Sequence, residues 1–104
     1  MGGVCVAVDG GQSKVLVRVS GLAESIAVEG LGRLEGDLAA GLIARIHTAL
    51  SSLAGGVPRI RRMVLGLTTI PATEPERRDL ARRIAEAFSA AEVYLGGDAL
   101  TAHA

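Results

Sequence analysis

Two segments of helical period are each followed by a short apolar run, and this alternation constrains the fold more than any single motif. When strand, helix and strand return to one sheet, the two strands must be parallel and the crossover right-handed. Leu38, Leu42, Ile46, Ala49, Leu50 and Leu53 recur at helical spacing, with Asp37 placed to cap the start and Gly55-Gly56 to close the end. Thr73-Glu74-Pro75-Glu76 announces a second helix in which Thr73 caps and Glu76 reaches back. Leu80, Ile84 and Phe88 then share one face, while Arg77, Arg78, Arg82, Arg83 and Glu86 occupy the other. Pro58 bars continuation of the first helix, and Met63 to Leu67 reads as a buried strand after a basic, solvated start at Arg59, Arg61 and Arg62. Val93-Tyr94-Leu95 reads as the strand after the second helix, with Gly96-Gly97 as a turn and Asp98 opening a further helical piece that ends at His103-Ala104.

The N-terminal part has strand character throughout. Val4-Cys5-Val6-Ala7-Val8 is an unbroken apolar run stopped by Asp9-Gly10-Gly11, the pattern of a central strand covered on both faces. Val15–Val19 and Glu24–Glu29 follow, separated by Ser20-Gly21, so the three runs predict an antiparallel meander. The predicted order is βββαβαβ plus the start of a helix, in a single α/β domain over residues 1–104. Strands one, four and five lie parallel and strands two and three extend the sheet antiparallel, which is a mixed five-stranded sheet of ribonuclease-H-like arrangement.

Composition narrows the partners. Apolar residues make up 49% of the chain and aromatics 2%, so the core is built from Val, Leu, Ile and Ala. Eleven basic and eleven acidic residues cancel, which removes the field by which a protein holds nucleic acid, and no nucleic-acid partner is expected. Interspersed with Glu, the arginine-rich faces read as solvated surface. Cys5 is the single cysteine, so no disulfide or CxxC metal site is available, and within its apolar run it reads as a small buried hydrophobe. His47 and His103 have no companion at metal-ligand spacing. Met1-Gly2-Gly3 carries no basic region before an apolar stretch, no run approaches membrane-spanning length, and Val6 stands where N-myristoylation wants Ser or Thr. The expected compartment is the cytoplasm, without a membrane partner.

Chemistry concentrates in Asp9-Gly10-Gly11-Gln12-Ser13-Lys14. Asp9 ends a central strand, where open sheets hold ligands, and the two glycines let backbone approach a bulky anion. Successive amides in such a turn make an anion-binding concavity, to which Ser13 adds a hydroxyl and Lys14, the only lysine, a point charge suited to phosphate. A carboxylate at Asp9 suits Mg2+, which prefers oxygen and keeps much of its water. The turn leads into a strand, so it is neither a GxxxxGKS/T loop nor a GxGxxG fingerprint. The same residues also make a good hairpin turn with a polar shoulder. Gly97-Asp98-Ala99 places a second carboxylate past the fifth strand at the same sheet edge, where it either takes the proton of an attacking hydroxyl or caps the last helix.

Val6-Ala7-Val8-Asp9-Gly10-Gly11-Gln12-Ser13-Lys14 resembles the first phosphate motif of the N-acetylglucosamine kinase and BadF/BadG/BcrA/BcrD-type ATPase family, within the sugar kinase/Hsp70/actin superfamily. Gly97-Asp98-Ala99 with Ala102 resembles the family's catalytic-aspartate segment. The likeness runs over all 104 residues but only the family's first lobe. It implies that Asp9 serves magnesium, that Gly10 to Lys14 hold the phosphates of ATP, and that Asp98 is the general base toward the hydroxyl of a small molecule, a sugar or amino sugar. It also implies a longer parent protein, since the second phosphate motif and the adenosine pocket belong to a second lobe, and little kinase activity for this segment alone. Gly30-Leu31-Gly32-Arg33-Leu34 replaces the polar sugar loop of such relatives, and Gly66-Leu67-Thr68-Thr69-Ile70-Pro71 replaces a small Gly-rich turn. Two other functions remain open: an ATPase that activates an iron–sulfur dehydratase or reductase, and a non-catalytic binding or assembly module, possible as a homodimer. A ribonuclease-type nuclease wants further acids from the first helix and fourth strand, and Met63 to Leu67 supplies none.

Overall fold

A computed structural model describes residues 3–32, 34, 36–68, 71–97 and 100–101. Its elements run β1 (Val4–Gly10), β2 (Lys14–Val19), β3 (Ile26–Glu29), α1 (Leu38–Ser51), β4 (Ile60–Leu67), α2 (Glu74–Phe88), β5 (Glu92–Gly97) and β6 (Leu100–Thr101). The sheet order is β3-β2-β1-β4-β5-β6. β1 pairs antiparallel with β2 and parallel with β4, and β4 pairs parallel with β5. The α/β class, the mixed sheet and the order of its first five strands are therefore those predicted.

Both helices sit on one face of the sheet. The two crossovers step the same way along the strand order, so right-handedness places α1 and α2 on the same side. Every second strand residue points at them: Val6 and Val8 of β1, Val15, Val17 and Val19 of β2, Met63, Leu65 and Leu67 of β4, and Leu95 of β5. These close one core with Leu42, Ile46 and Leu50 of α1 and Leu80, Ile84 and Phe88 of α2. The alternate residues face the other way, onto a sheet surface that no described element covers: Cys5, Ala7 and Asp9, then Leu16 and Arg18, then Arg62, Val64 and Gly66, then Tyr94.

Coverage of β1 on both faces is thus corrected, because a strand run of small and β-branched residues satisfies one covered face as well as two. Cys5 falls on the open parity and is half-buried, not enclosed. Arg61 and Arg62 belong to β4 and not to a loop, since Ile60 is buried in register with Val4, and Arg62 pairs with Glu92 at 3.0 Å. Gly96-Gly97 continue β5, in register with Gly66 and Leu67, instead of turning. Leu100–Thr101 pair antiparallel with Gly96–Gly97, so that part of the expected terminal helix is strand; hydrogen bonding to an available edge overrides a weak helical pattern. Among the described residues, no helix is long and apolar enough to cross a membrane.

The helix starts form as their caps dictate. Asp37 accepts from the Ala40 amide at 3.3 Å, and Thr73 accepts from the Glu76 amide at 3.4 Å while donating its hydroxyl proton to Glu76 Oε1 at 2.6 Å. α1 ends at Ser51, before Gly55-Gly56, and Ser89 closes α2 in a left-handed conformation. On the solvent side of α2, Arg78 pairs with Glu74, and Arg82 with Asp79 and Glu86. Arg83 reaches across to Asp37 and ties the first turn of α1 to α2. That guanidinium, with the Ala40 and Ala39 amides, holds the Asp37 carboxyl below its ordinary range. A folded-state pKa below the unfolded value stabilises the fold above the unfolded pKa, and the contribution is lost as pH falls through the depressed one. Asp37→Asn retains a capping oxygen but not the charge, so it is expected to flatten the decline in urea midpoint below about pH 4 while leaving the fold intact. An unchanged acid limb would remove Asp37 from the account.

Candidate functional site

The loop Gly11-Gln12-Ser13 joins β1 to β2 at the carboxyl edge of the parallel strands, and the Gly11 amide closes it by donating to the Lys14 carbonyl at 3.1 Å. Its own carbonyls are tied back into the protein. Leu31 donates to Gly11 O and Gly32 to Gln12 O, each at 2.9 Å, so residues 30 to 32 form a strap along one side. On the other side Thr68 donates both its amide, at 3.1 Å, and its hydroxyl, at 3.2 Å, to Gly10 O. The strap lies so close that a Cβ on Gly30 would stand 2.3 Å from Gln12 O and from the Ser13 carbonyl carbon. A Cβ on Gly10 would meet Leu67 Cδ2 at 2.6 Å. Binding an anion requires a turn to withdraw its oxygens, and here the carbonyls of Gly10, Gly11 and Gln12 are all engaged inward. Ser13 is exposed, and its hydroxyl has no partner among the described residues.

Strand parity brings the two charged candidates onto one surface. Asp9 and Lys14 are both exposed and both belong to the open face. Asp9 lies opposite Leu16, so Lys14 and Arg18 are its diagonal neighbours on β2, about 7–8 Å away by sheet geometry. Among the described residues, no ion pair involves Asp9, Lys14 or Arg18. Asp9 is thus a carboxylate between two cations, none of them ion-paired among the described residues, a set that suits a hydrated divalent cation and an anion side by side.

One acidic group adjoins the turn. Glu29 lies opposite Lys14 and, with Gln12, Ser13 and Gly30, lines a shallow concavity of about 310 Å³. Arg45 of α1 approaches the Glu29 carboxylate at 3.8 Å and donates to the carbonyls of Glu29 and Gly30 at 3.0 and 3.2 Å, which anchors the strap to the helix. Among the described residues no group of three His, Cys, Asp or Glu side chains is placed to hold a metal, so a cation at Asp9 would keep mostly water or phosphate oxygen in its shell.

Asp98 lies outside the described residues. Gly97, just before it, is in register with Leu67, which pairs with Gly10. The end of β5 and the Asp9 turn therefore share one sheet edge, two strand spacings or about 10 Å apart. Residues 30–34 and 66–71 stand out in the sequence as replacements for a sugar loop and a Gly-rich turn, but their bracing of the Asp9 turn and the place of Arg18 beside Asp9 are not legible there. Gly30 and Gly32, two residues apart after a strand, carried a usable signal, since glycine beside a strand marks close backbone approach.

No protein-family model matches the chain, and no curated protein matches it either.

Gly30→Ala is expected to destabilise the fold by about 1–3 kcal/mol through overpacking against the loop backbone, with faster amide exchange at residues 11 to 14. Gly55→Ala, where a Cβ would meet nothing within 4 Å, serves as the neutral control. Equal urea midpoints for the two variants would show that the strap does not hold the turn.

Proposed function

We propose that this chain is the phosphate-binding lobe of an ATP-dependent phosphotransferase with an actin-like, ribonuclease-H-like fold, acting on the hydroxyl of a small molecule of the sugar or amino-sugar class. The observation that carries the reading is the convergence at the carboxyl edge: a turn with its carbonyls withdrawn, and the unpaired Asp9 and Lys14 on one side of the sheet. The strand order and the parallel setting of β1, β4 and β5 support the same fold family.

In this reading the Gly10–Lys14 turn, its shape set by the Gly11 amide bound to the Lys14 carbonyl, presents the phosphates of ATP with backbone, and Ser13 adds a hydroxyl donor. Lys14 places its ammonium against phosphate oxygen, and Asp9 holds Mg2+ through water. The residues fit the group, because Asp9 is exposed without a competing partner and the cation offsets the nearby Glu29. When bound, Mg2+ neutralises charge on the transferring phosphoryl group. The substrate's hydroxyl oxygen forms the new bond to phosphorus as the bond to the ADP oxygen breaks, and the hydroxyl proton passes to a carboxylate. The family resemblance assigns that last role to Asp98. Turnover in this family type draws on a second lobe, so binding, not catalysis, is the property this lobe supplies.

A second reading, a non-catalytic binding or assembly module, is favoured by the uncovered sheet face, where Leu16, Val64 and Tyr94 are only half-buried. Titration calorimetry with Mg·ATP separates the two. Binding is expected for the native chain, with Asp9→Asn and Lys14→Ala each weakening it about tenfold, the value of one charge-assisted contact. Melting temperatures should stay unchanged, because both side chains are exposed and unpaired. Absence of Mg·ATP binding, or identical titrations for native and Asp9→Asn protein, would favour the module.

A further inference from the structure

Gly66 stands next to Asp9 in register, inside β4, where glycine weakens a strand by roughly 0.5–1 kcal/mol relative to alanine. Glycine within a strand usually answers a bulge, a bend, a close backbone or a ligand. The β1–β4 register is irregular only between Val4 and Cys5, far from Gly66, and Gly66 has no positive φ. A Cβ there would meet nothing nearer than Val8 O at 4.0 Å. Among the described residues nothing occupies the space beside Gly66, which leaves it open to a ligand.

Space and charge at that point agree. A concavity of about 280 Å³ opens on the uncovered sheet face, with Ala7, Val64 and Gly66 as its floor and Asp9, Leu16 and Arg18 around it. This is close to the lower end of small-molecule sites, about 300–1,000 Å³. Arg18 is exposed and in no ion pair among the described residues, whereas Arg62 on the same face is engaged by Glu92 and lies over the Tyr94 ring. The guanidinium fork matches a planar carboxylate, and Asp9 accepts from hydroxyl groups. Their backbone positions are diagonal neighbours across β1 and β2, about 7–8 Å apart, so both head groups serve the same concavity.

The geometry points to this concavity as the seat of the acceptor substrate, and to an acceptor that is a hydroxylated carboxylic acid of the sugar-acid class. Its carboxylate pairs with Arg18, its ring lies over Gly66, and its hydroxyls face Asp9. This assignment rests on the phosphotransferase reading for the site's purpose but not for its test.

Binding is measured on the full chain by titration calorimetry or saturation-transfer NMR, with D-glucuronate and D-glucose as probes at constant ionic strength. D-glucuronate is expected to bind at least about tenfold more tightly than D-glucose, the difference expected of one hydrogen-bonded charge pair. Arg18→Gln should erase that preference. Gly66→Val should abolish D-glucuronate binding while the melting temperature holds or rises, because a β-branched residue suits a strand and its Cβ meets nothing nearer than 4.0 Å. A structural glycine would instead lower the melting temperature. Equal affinity for the two probes, no binding of either, or an undiminished preference in Arg18→Gln overturns the assignment. Mg·ATP titration of the same samples reports separately on the phosphate turn, so failure of one reading is distinguishable from failure of the other.

Discussion

The register of β1 is the constraint from which the rest of the structure follows. β1 is bonded antiparallel to β2 on one side and parallel to β4 on the other, so its two-residue alternation is imposed on both neighbours. Val6 and Val8 turn toward the helices, and Cys5, Ala7 and Asp9 turn away. A slip of one residue would bury the Asp9 carboxylate in an aliphatic core and expose the valines. The apolar face of the sheet therefore holds the charged face in place, with no interaction between charged groups required.

Right-handed crossover then divides labour between the two surfaces. Both helices fall on the valine side, and their N-termini come to the edge where β1, β4 and β5 end. The strap of residues 30 to 32 lies at that edge because β3 also ends there, and Arg45 fastens it to α1. The polar turn is supported by backbone contacts from both sides, a form of preorganisation that exposes Ser13 and Lys14 while fixing the chain beneath them.

Legibility in the sequence follows the range of the interaction. The helix caps at Asp37 and Thr73 could be read because a cap involves residues three apart. The Asp9–Lys14 turn was legible as a unit for the same reason. Arg18 was not, since its relation to Asp9 exists only once β2 pairs with β1 and parity puts both on the open face. Arg61 and Arg62 looked like solvated loop until the Ile60–Val4 pairing and the Glu92 partner drew them into β4. Gly96-Gly97 looked like a turn because glycine is a turn signal wherever no neighbouring strand is known.

The sequence by itself determined the α/β class, the order of the first seven elements, the first five strands' arrangement, the aliphatic core and the position of the polar turn. Periodicity, capping and crossover handedness are local or nearly universal, and a linear text carries them. Tertiary structure alone decided that one sheet face stays uncovered by the described elements, that residues 30 to 32 brace the turn, and that Asp9 has Arg18 and Gly66 as neighbours. Each of these depends on which strand lies beside which and in what register. Register is a property of the paired backbone, set jointly by distant segments, and no window along the chain contains it.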